Sequence, residues 1–338
     1  MNTILIIFIL VFICILIITF MYSYNYYYHQ NVPIVTFPFK NILSDTNCRL
    51  PIIAIVAPIR TRDHLIQLAR YKKQYPIIGI TSYMEFPLLL SNKYDNGYEF
   101  LKPKDYLDIC QAWLSCFKHP LPTSSPQIDL SQSDFVSIDT SDIIHDKLYD
   151  FIYICSPDNT VCEGWQATNR NWEFAKKCIE YFTCVLQLKG VLIGRSYCKH
   201  ELTDTCQSYL RFTPSLPWDS CQRLLQSSKW LFLPNTTDAS PRVITEAFHY
   251  NLPVFMNQDI LGGWKYIDPD RSGCFFNETN YISQIHHFLQ KFHTYTPKHF
   301  FDTYFGKQNS GKKLYSFLLQ HNLLSYNEHI EYVYPSVN

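Results

Sequence analysis

Charge is scarce and balanced in this chain. Only 17% of its 338 residues are charged, and 29 basic and 29 acidic side chains cancel to a formal net charge of +0. No cluster of Lys or Arg is long, which excludes the basic stripe of a nucleic-acid protein, so no nucleic-acid partner is expected. The 12 cysteines contain no Cys-x-x-Cys pair and no Cys/His ligand pattern, which excludes structural zinc. The chain is also too long for a disulfide-stapled mini-domain. Cys155, Cys178 and Cys184 fall inside apolar periodic segments, where a thiol acts as a small core hydrophobe, and reduced thiols are expected. Gly311-Lys312-Lys313 lacks the preceding strand and full pattern of a phosphate loop. What is present is a globular composition, 47% hydrophobic, with enough chain for two domains.

The N-terminus has no charge before Lys40. Ile4 to Met21 is apolar apart from Thr19 and just long enough to cross a hydrocarbon core of ~30 Å. Tyr22, Tyr24, Tyr26, Tyr27 and Tyr28 follow as an interfacial aromatic belt would. The exit lacks a small-x-small cleavage site, so the segment reads as an uncleaved single-pass membrane anchor rather than a signal peptide. Two glycosylation sequons occur, Asn235-Thr236-Thr237 and Asn277-Glu278-Thr279. A glycan on the first would obstruct a loop singled out below, which favours the cytosolic side for the folded part.

Beyond residue 50 the pattern alternates strand and helix. Ile52 to Ala57 is a continuous apolar run, a helix passes through Leu65, Leu68 and Tyr71, and Ile77 to Thr81 is a second strand. Pro120 to Ser133 reads as a surface loop. In the second half, strands are expected at Phe151–Cys155, Gly190–Gly194, Trp230–Pro234 and Leu252–Met256. Asn171 reads as a helix cap, and Ser240-Pro241 as a helix start with Ser at the cap. The βαβ rhythm predicts an α/β chain of two Rossmann-like domains facing across a cleft, preceded by one transmembrane helix. The expected divisions are an anchor over 1–22, a tether over 23–50, a first lobe over 51–148, a second over 149–300 and a C-terminal helical tail over 301–338.

Ligands of open α/β sheets bind beyond the carboxyl ends of the strands, against helix N-termini. Arg170, Arg195 and the helix start at Ser240 could supply the cationic forks and N–H donors that a diphosphate needs. Glu246 lies at the border of its helix's apolar arc, where a carboxylate can accept two ribose hydroxyls. Gly262-Gly263 reads as a turn whose N–H groups could meet a sugar or phosphate. Arg60, Asp63 and His64 in the first lobe face the expected cleft, on the acceptor side.

The run from Ser228 to Pro234, then Asp238 to Ala247, then Asn251-Leu252-Pro253-Val254 resembles the donor-binding signature of glycosyltransferase family 4. The family's Glu-(seven residues)-Glu pair becomes Asp238 and Glu246 with the spacing intact. The match covers about residues 150 to 275. Tyr83-Met84-Glu85-Phe86-Pro87 with Arg170-Asn171-Trp172 is similar to glycosyltransferases encoded by giant DNA viruses. The family resemblance implies a two-lobed GT-B fold and retaining transfer from a nucleotide-diphosphate sugar to a glycan, lipid or protein acceptor. It implies Glu246 on the ribose, Asp238 at the transferred sugar, and Arg170 and Arg195 near the diphosphate. Asn235, Thr236, Ser240, Arg242, Val243, Gly262 and Gly263 would line the donor site. No metal and no cofactor beyond the donor is expected. Three departures stand out: Asp238 is one methylene shorter than Glu, Asn251 replaces Gly, which Asn can do by tolerating a left-handed backbone, and the N-terminal lobe is short for the fold and matches it weakly. The alternatives are a nucleotide-sugar epimerase or glycan phosphorylase on the same fold, and an inactive membrane-tethered scaffold or partner subunit.

Overall fold

The computed structural model describes residues 12, 13, 15, 32–83, 85–88, 100–139, 146–156 and 162–336. Apart from residues 12, 13 and 15, the expected anchor lies outside the described residues, as do the tether up to residue 31 and Met84. Among the described residues no helix is long and apolar enough to cross a membrane.

The first lobe starts earlier than the expected tether allows. β1 (Phe39–Ser44) pairs antiparallel with β2 (Arg49–Ile55), placing Phe39 opposite Ile55. The sequence hides β1 because its polar residues face inward: Lys40, Asn41 and Ser44 are buried. Each has a partner; Lys40 donates to the Ser336 carbonyl at 2.8 Å and Asn41 to the Pro33 carbonyl at 2.9 Å. After β2, Thr61 caps α1 (Arg62–Tyr71) by accepting from the His64 N–H at 3.1 Å. β3 (Ile77–Ile80), β4 (Ala112–Leu114) and β5 (Gln127–Ile128) then extend the sheet in parallel. The expected surface loop over Pro120–Ser133 therefore contains β5, and it also buries Leu121, Leu130, Ser131 and Ser133.

The second lobe is an all-parallel sheet. Its strands are β6 (Tyr149–Ile154), β7 (Gly190–Ile193), β8 (Leu210–Thr213), β9 (Ser228–Leu233), β10 (Val254–Asn257) and β11 (Gly273–Phe276). They lie in the order β11-β10-β9-β6-β7-β8, so the chain winds outward from β6 through β7 to β8 and restarts on the other side of β6 with β9. That reversal is a topological switch point, where the loops leaving β6 and β9 diverge and open a crevice. Among the covering helices are α2 (Trp172–Glu180), α3 (Trp218–Gln226), α4 (Arg242–His249) and α5 (Tyr281–Lys291). One face is an aromatic core built on Phe151, Phe182, Trp230, Phe232, Phe255, Phe276 and Phe288. Phe255 and Phe276 stack with centroids 4.2 Å apart, a pairing worth about 0.5–1.5 kcal/mol beyond area burial. Asn251 takes φ 57°, the left-handed backbone expected of it.

The chain then crosses back. α6 (Gly306–Gln320) packs Leu314, Phe317 and Leu318 into the core of the first sheet, and β12 (Val333–Pro335) pairs antiparallel with β1. Of the expected helical tail, Phe301 and Phe305 pack into the second lobe's core, while α6 and β12 complete the first lobe.

Candidate active site

Two local starts differ from expectation. Asn171 stands at the cap position of α2 but with φ 51° and no side-chain cap bond. Pro241, not Ser240, is the cap residue of α4. Ser240 is drawn away by the other lobe: its hydroxyl bonds Ser131 Oγ at 2.8 Å and Ser133 Oγ at 2.6 Å.

The loop after β9 lies at the switch point. Asp238 accepts from Arg170 Nη1 at 2.5 Å, from Asn235 Nδ2 at 3.0 Å and from the Ser240 N–H at 3.2 Å. The Arg170 and Asp238 side chains remain 27% and 15% exposed, so the pair borders the crevice. Asn235 is buried, and Thr236 fixes the loop by donating its N–H to the Asn169 carbonyl at 2.9 Å. One turn into α4, Glu246 is 8% exposed. Its Oε1 accepts from Trp218 Nε1 at 3.2 Å and pairs with Arg242 Nε at 3.1 Å, and its Oε2 accepts from Gln222 Nε2 at 3.1 Å. A carboxylate offers about four acceptor positions, so three are taken and Oε2 keeps one. Arg242 itself is 55% exposed at the start of α4, while Val243 packs against the apolar core.

Arg195 does not stand where a diphosphate could reach it. It is 0% exposed, and its guanidinium donates to the carbonyls of Cys155, Ser156 and Cys162 at 3.3, 3.0 and 3.0 Å. It also lies 5.5 Å from the Trp172 ring. The fork is spent bracing the loop after β6. The Gly262 and Gly263 N–H groups are likewise committed, to the Asp238 and Cys116 carbonyls at 3.1 and 3.0 Å. Gly262 is a point of close approach, since a Cβ there would lie 2.1 Å from the Ala239 carbonyl oxygen and 2.8 Å from that of Cys116. Gly263 has φ +81°, a backbone suited to glycine.

These glycines belong to a clamp between the lobes. Phe117 bridges Gly262, the Lys118 N–H donates to the Leu261 carbonyl at 3.2 Å, and the Cys116 thiol donates to the Ala239 carbonyl at 2.9 Å. Behind it sits a buried network that sequence reasoning missed. Asp134, 0% exposed, accepts from Lys265 Nζ at 2.6 Å, Tyr266 Oη at 2.7 Å and the Ser131 N–H at 2.7 Å. Burial and the Asp134 charge together raise the Tyr266 hydroxyl well above its usual range. Ser131-Gln132-Ser133-Asp134 reads as a capping box, the one local signal that could have singled this segment out. Lys40 is a second missed residue; burial and then Arg242 push its ammonium down to about 8.

On the first lobe, Arg60 lies 5.4 Å from the Tyr83 ring centroid, and its Nη1 is 3.5 Å from the Tyr83 hydroxyl. Asp63 is exposed in the first turn of α1, and the His64 ring meets Phe39 edge-on at 6.3 Å. None of the three is brought into contact with Asp238 or Glu246 among the described bonds.

The reduced-thiol expectation holds for seven of the described cysteines and is overturned for four. Cys162 joins Cys198 and Cys184 joins Cys206, with Cα atoms 5.5 and 5.2 Å apart. Cys184 is therefore not a core thiol, whereas Cys155 and Cys178 are free and buried. The partners are 36 and 22 residues apart in the chain, so no short spacing betrays them. Among the described residues one group could gather around a metal, Cys162, His200 and Glu201. Its donor set does not fit one: Cys162 is in a disulfide and Glu201 Oε2 holds Trp172 Nε1 and Lys176 Nζ. The chain does contain one Asp-x-Asp spacing among the described residues, Asp268-Pro269-Asp270, and it is a turn bound to Arg271 and Lys291.

No protein-family model matches the chain, and no curated protein matches it in sequence. Solved structures do match its fold. The lipopolysaccharide outer core galactosyltransferase WaaB gives a TM-score of 0.52 at 14% identity, over 79% of this chain and 76% of its own. Sucrose-phosphate synthase from Thermosynechococcus elongatus gives 0.51 at 10% identity, over 77% and 70%. TarM gives 0.51 at 12% identity over 74% of this chain, which spans about half (51%) of TarM. These neighbours are GT-B glycosyltransferases, and two Rossmann-like sheets clamped across a crevice give this chain their GT-B fold.

Proposed function

We propose that this chain is a glycosyltransferase that takes sugar from a nucleotide-diphosphate donor held over the β6/β9 switch point. The observation that carries the reading is Glu246, oriented by Trp218, Gln222 and Arg242 and separated by seven intervening residues from Asp238 at the crevice. The open position on Glu246 Oε2 suits one ribose hydroxyl, and displacement of half-exposed Trp218 would free a second. Arg242 and the N-terminus of α4 offer the positive charge that a diphosphate requires. Arg170 takes the place beside the leaving phosphate that the sequence shared between it and Arg195. Asp238 faces the transferred sugar. Catalysis rests on positioning and on electrostatic support for the departing diphosphate, with retention at the anomeric carbon and without a metal. The acceptor approaches from the Arg60, Asp63 and His64 side.

A tethered, inactive scaffold is the second reading, favoured by the commitment of Arg195, Gly262 and Gly263 to internal bonds. A thermal-shift panel of nucleotide sugars, run on the purified chain and on Glu246→Ala, separates the two. A donor at a hundredfold its Kd stabilises by about 2.7 kcal/mol, and that shift should vanish in Glu246→Ala. No shift with any donor, in a chain that unfolds cooperatively, would favour the scaffold.

A further inference from the structure

The fold treats the two Asn-x-Thr sequons oppositely. Asn235 is 1% exposed, and its Nδ2 is spent on Asp238 at 3.0 Å. A glycan on that nitrogen would break the bond and leave no room for the loop after β9. Asn277 follows β11, the edge strand of its sheet, at the turn that leads into α5. Glu278 and Thr279 beside it are exposed. Asn277 Oδ1 accepts from the Thr279 N–H at 3.0 Å, the Thr279 hydroxyl at 2.8 Å and the Asn280 N–H at 3.0 Å. Three donors on the carbonyl oxygen fix the partly exposed side chain in the turn, and the Nδ2 amide that would carry a glycan takes no part in these bonds.

A second observation comes from elsewhere in the lobe. Two disulfides, Cys162–Cys198 and Cys184–Cys206, tie the connection between β6 and β7 to the connection between β7 and β8. Their Cα separations of 5.5 and 5.2 Å are those of an ordinary bridge. Disulfides form and persist in oxidising compartments, and the endoplasmic reticulum, where Asn-x-Thr sequons receive glycans, is one of them.

We propose that Asn277 carries an N-linked glycan and that the folded chain matures on the oxidising side of a secretory membrane, opposite to the side its sequence favours. The Nδ2 of Asn277 attacks the anomeric carbon of a lipid-diphosphate-linked oligosaccharide supplied by that compartment. A C–N bond forms, the anomeric C–O bond breaks, the lipid diphosphate leaves and the amide gives up one proton. Each disulfide forms when two thiols pass two electrons and two protons to a disulfide-donating protein. Asn277 lies at the edge of the sheet, with β10 between its strand and β9, so the glycan leaves the switch point open.

The test is peptide mapping by mass spectrometry of the full chain made in a eukaryotic cell, without reduction and with or without peptide-N-glycosidase. The expected result is a glycan on Asn277, none on Asn235, and both bridges intact. Thr279→Ala, which keeps Asn277, should remove the glycan, and Thr279→Ser should retain it. A glycan on Asn235, a bare Asn277 in a disulfide-bonded chain, or an unmodified chain with these four thiols reduced would each overturn the proposal.

Discussion

Arg170 Nη1 meets Asp238 Oδ2 at 2.5 Å across 68 residues of chain, tying the segment that opens α2 to the loop that opens α4. The two loops leave β6 and β9 on either side of the switch point, so this bond spans the crevice floor. Partial exposure keeps the pair within reach of a ligand and also dilutes its strength. A double-mutant cycle of Arg170→Ala and Asp238→Ala should give a coupling energy of about 1 kcal/mol in urea unfolding. Donor affinity should fall in both single variants; unchanged affinity would remove the pair from the site.

Arg195 should behave as a structural residue. Its fork serves three carbonyls at once, a geometry that Lys cannot copy. Arg195→Lys is expected to lower stability by about 2–4 kcal/mol. Donor affinity, measured where the variant is folded, should change less than it does in Arg170→Ala. The opposite ranking would return Arg195 to the diphosphate.

The Asp134–Lys265 pair joins the lobes from a largely buried site, with side-chain exposures of 0% and 12%. Breaking it from one side strands a buried charge, so Lys265→Met should cost about 3–5 kcal/mol. Asp134→Leu combined with Lys265→Met should cost clearly less than the two single changes summed. Strict additivity in chemical unfolding would deny the coupling.

His249 gives the second lobe an acid sensitivity. Its Nδ1 lies 2.7 Å from the Thr245 carbonyl oxygen and its ring packs 4.8 Å from Phe301. Burial lowers its proton affinity below the ordinary value of 6.5, against a smaller opposing effect of the Thr245 carbonyl. The unfolded chain therefore binds the proton more readily, and this contribution is present above pH 6.5 and lost as the pH falls through the folded value. Unfolding free energies at pH 7.5 and 5.5 should differ less in His249→Gln than in the unsubstituted chain.

Local pattern alone determined much of this protein. The apolar runs that became β2, β3, β6, β7, β9 and β10 could be read because strands covered on both faces repeat one residue type over a few positions. The seven-residue interval between Asp238 and Glu246 survives because a loop and a helical turn convert sequence distance directly into space. Asn251 could be read for the same reason, its backbone conformation being a property of one residue. Tertiary structure decided what depends on distant chain. β1 was missed because its polar side chains are paid for by partners such as Pro33 and Ser336, the latter 296 residues from Lys40. The inward turn of Arg195, the two disulfides and the Asp134–Lys265 bond across 131 residues are meetings of the segments that connect the strands. A side chain's type states what it can bind; which partner it finds is set by where the sheets bring the loops together.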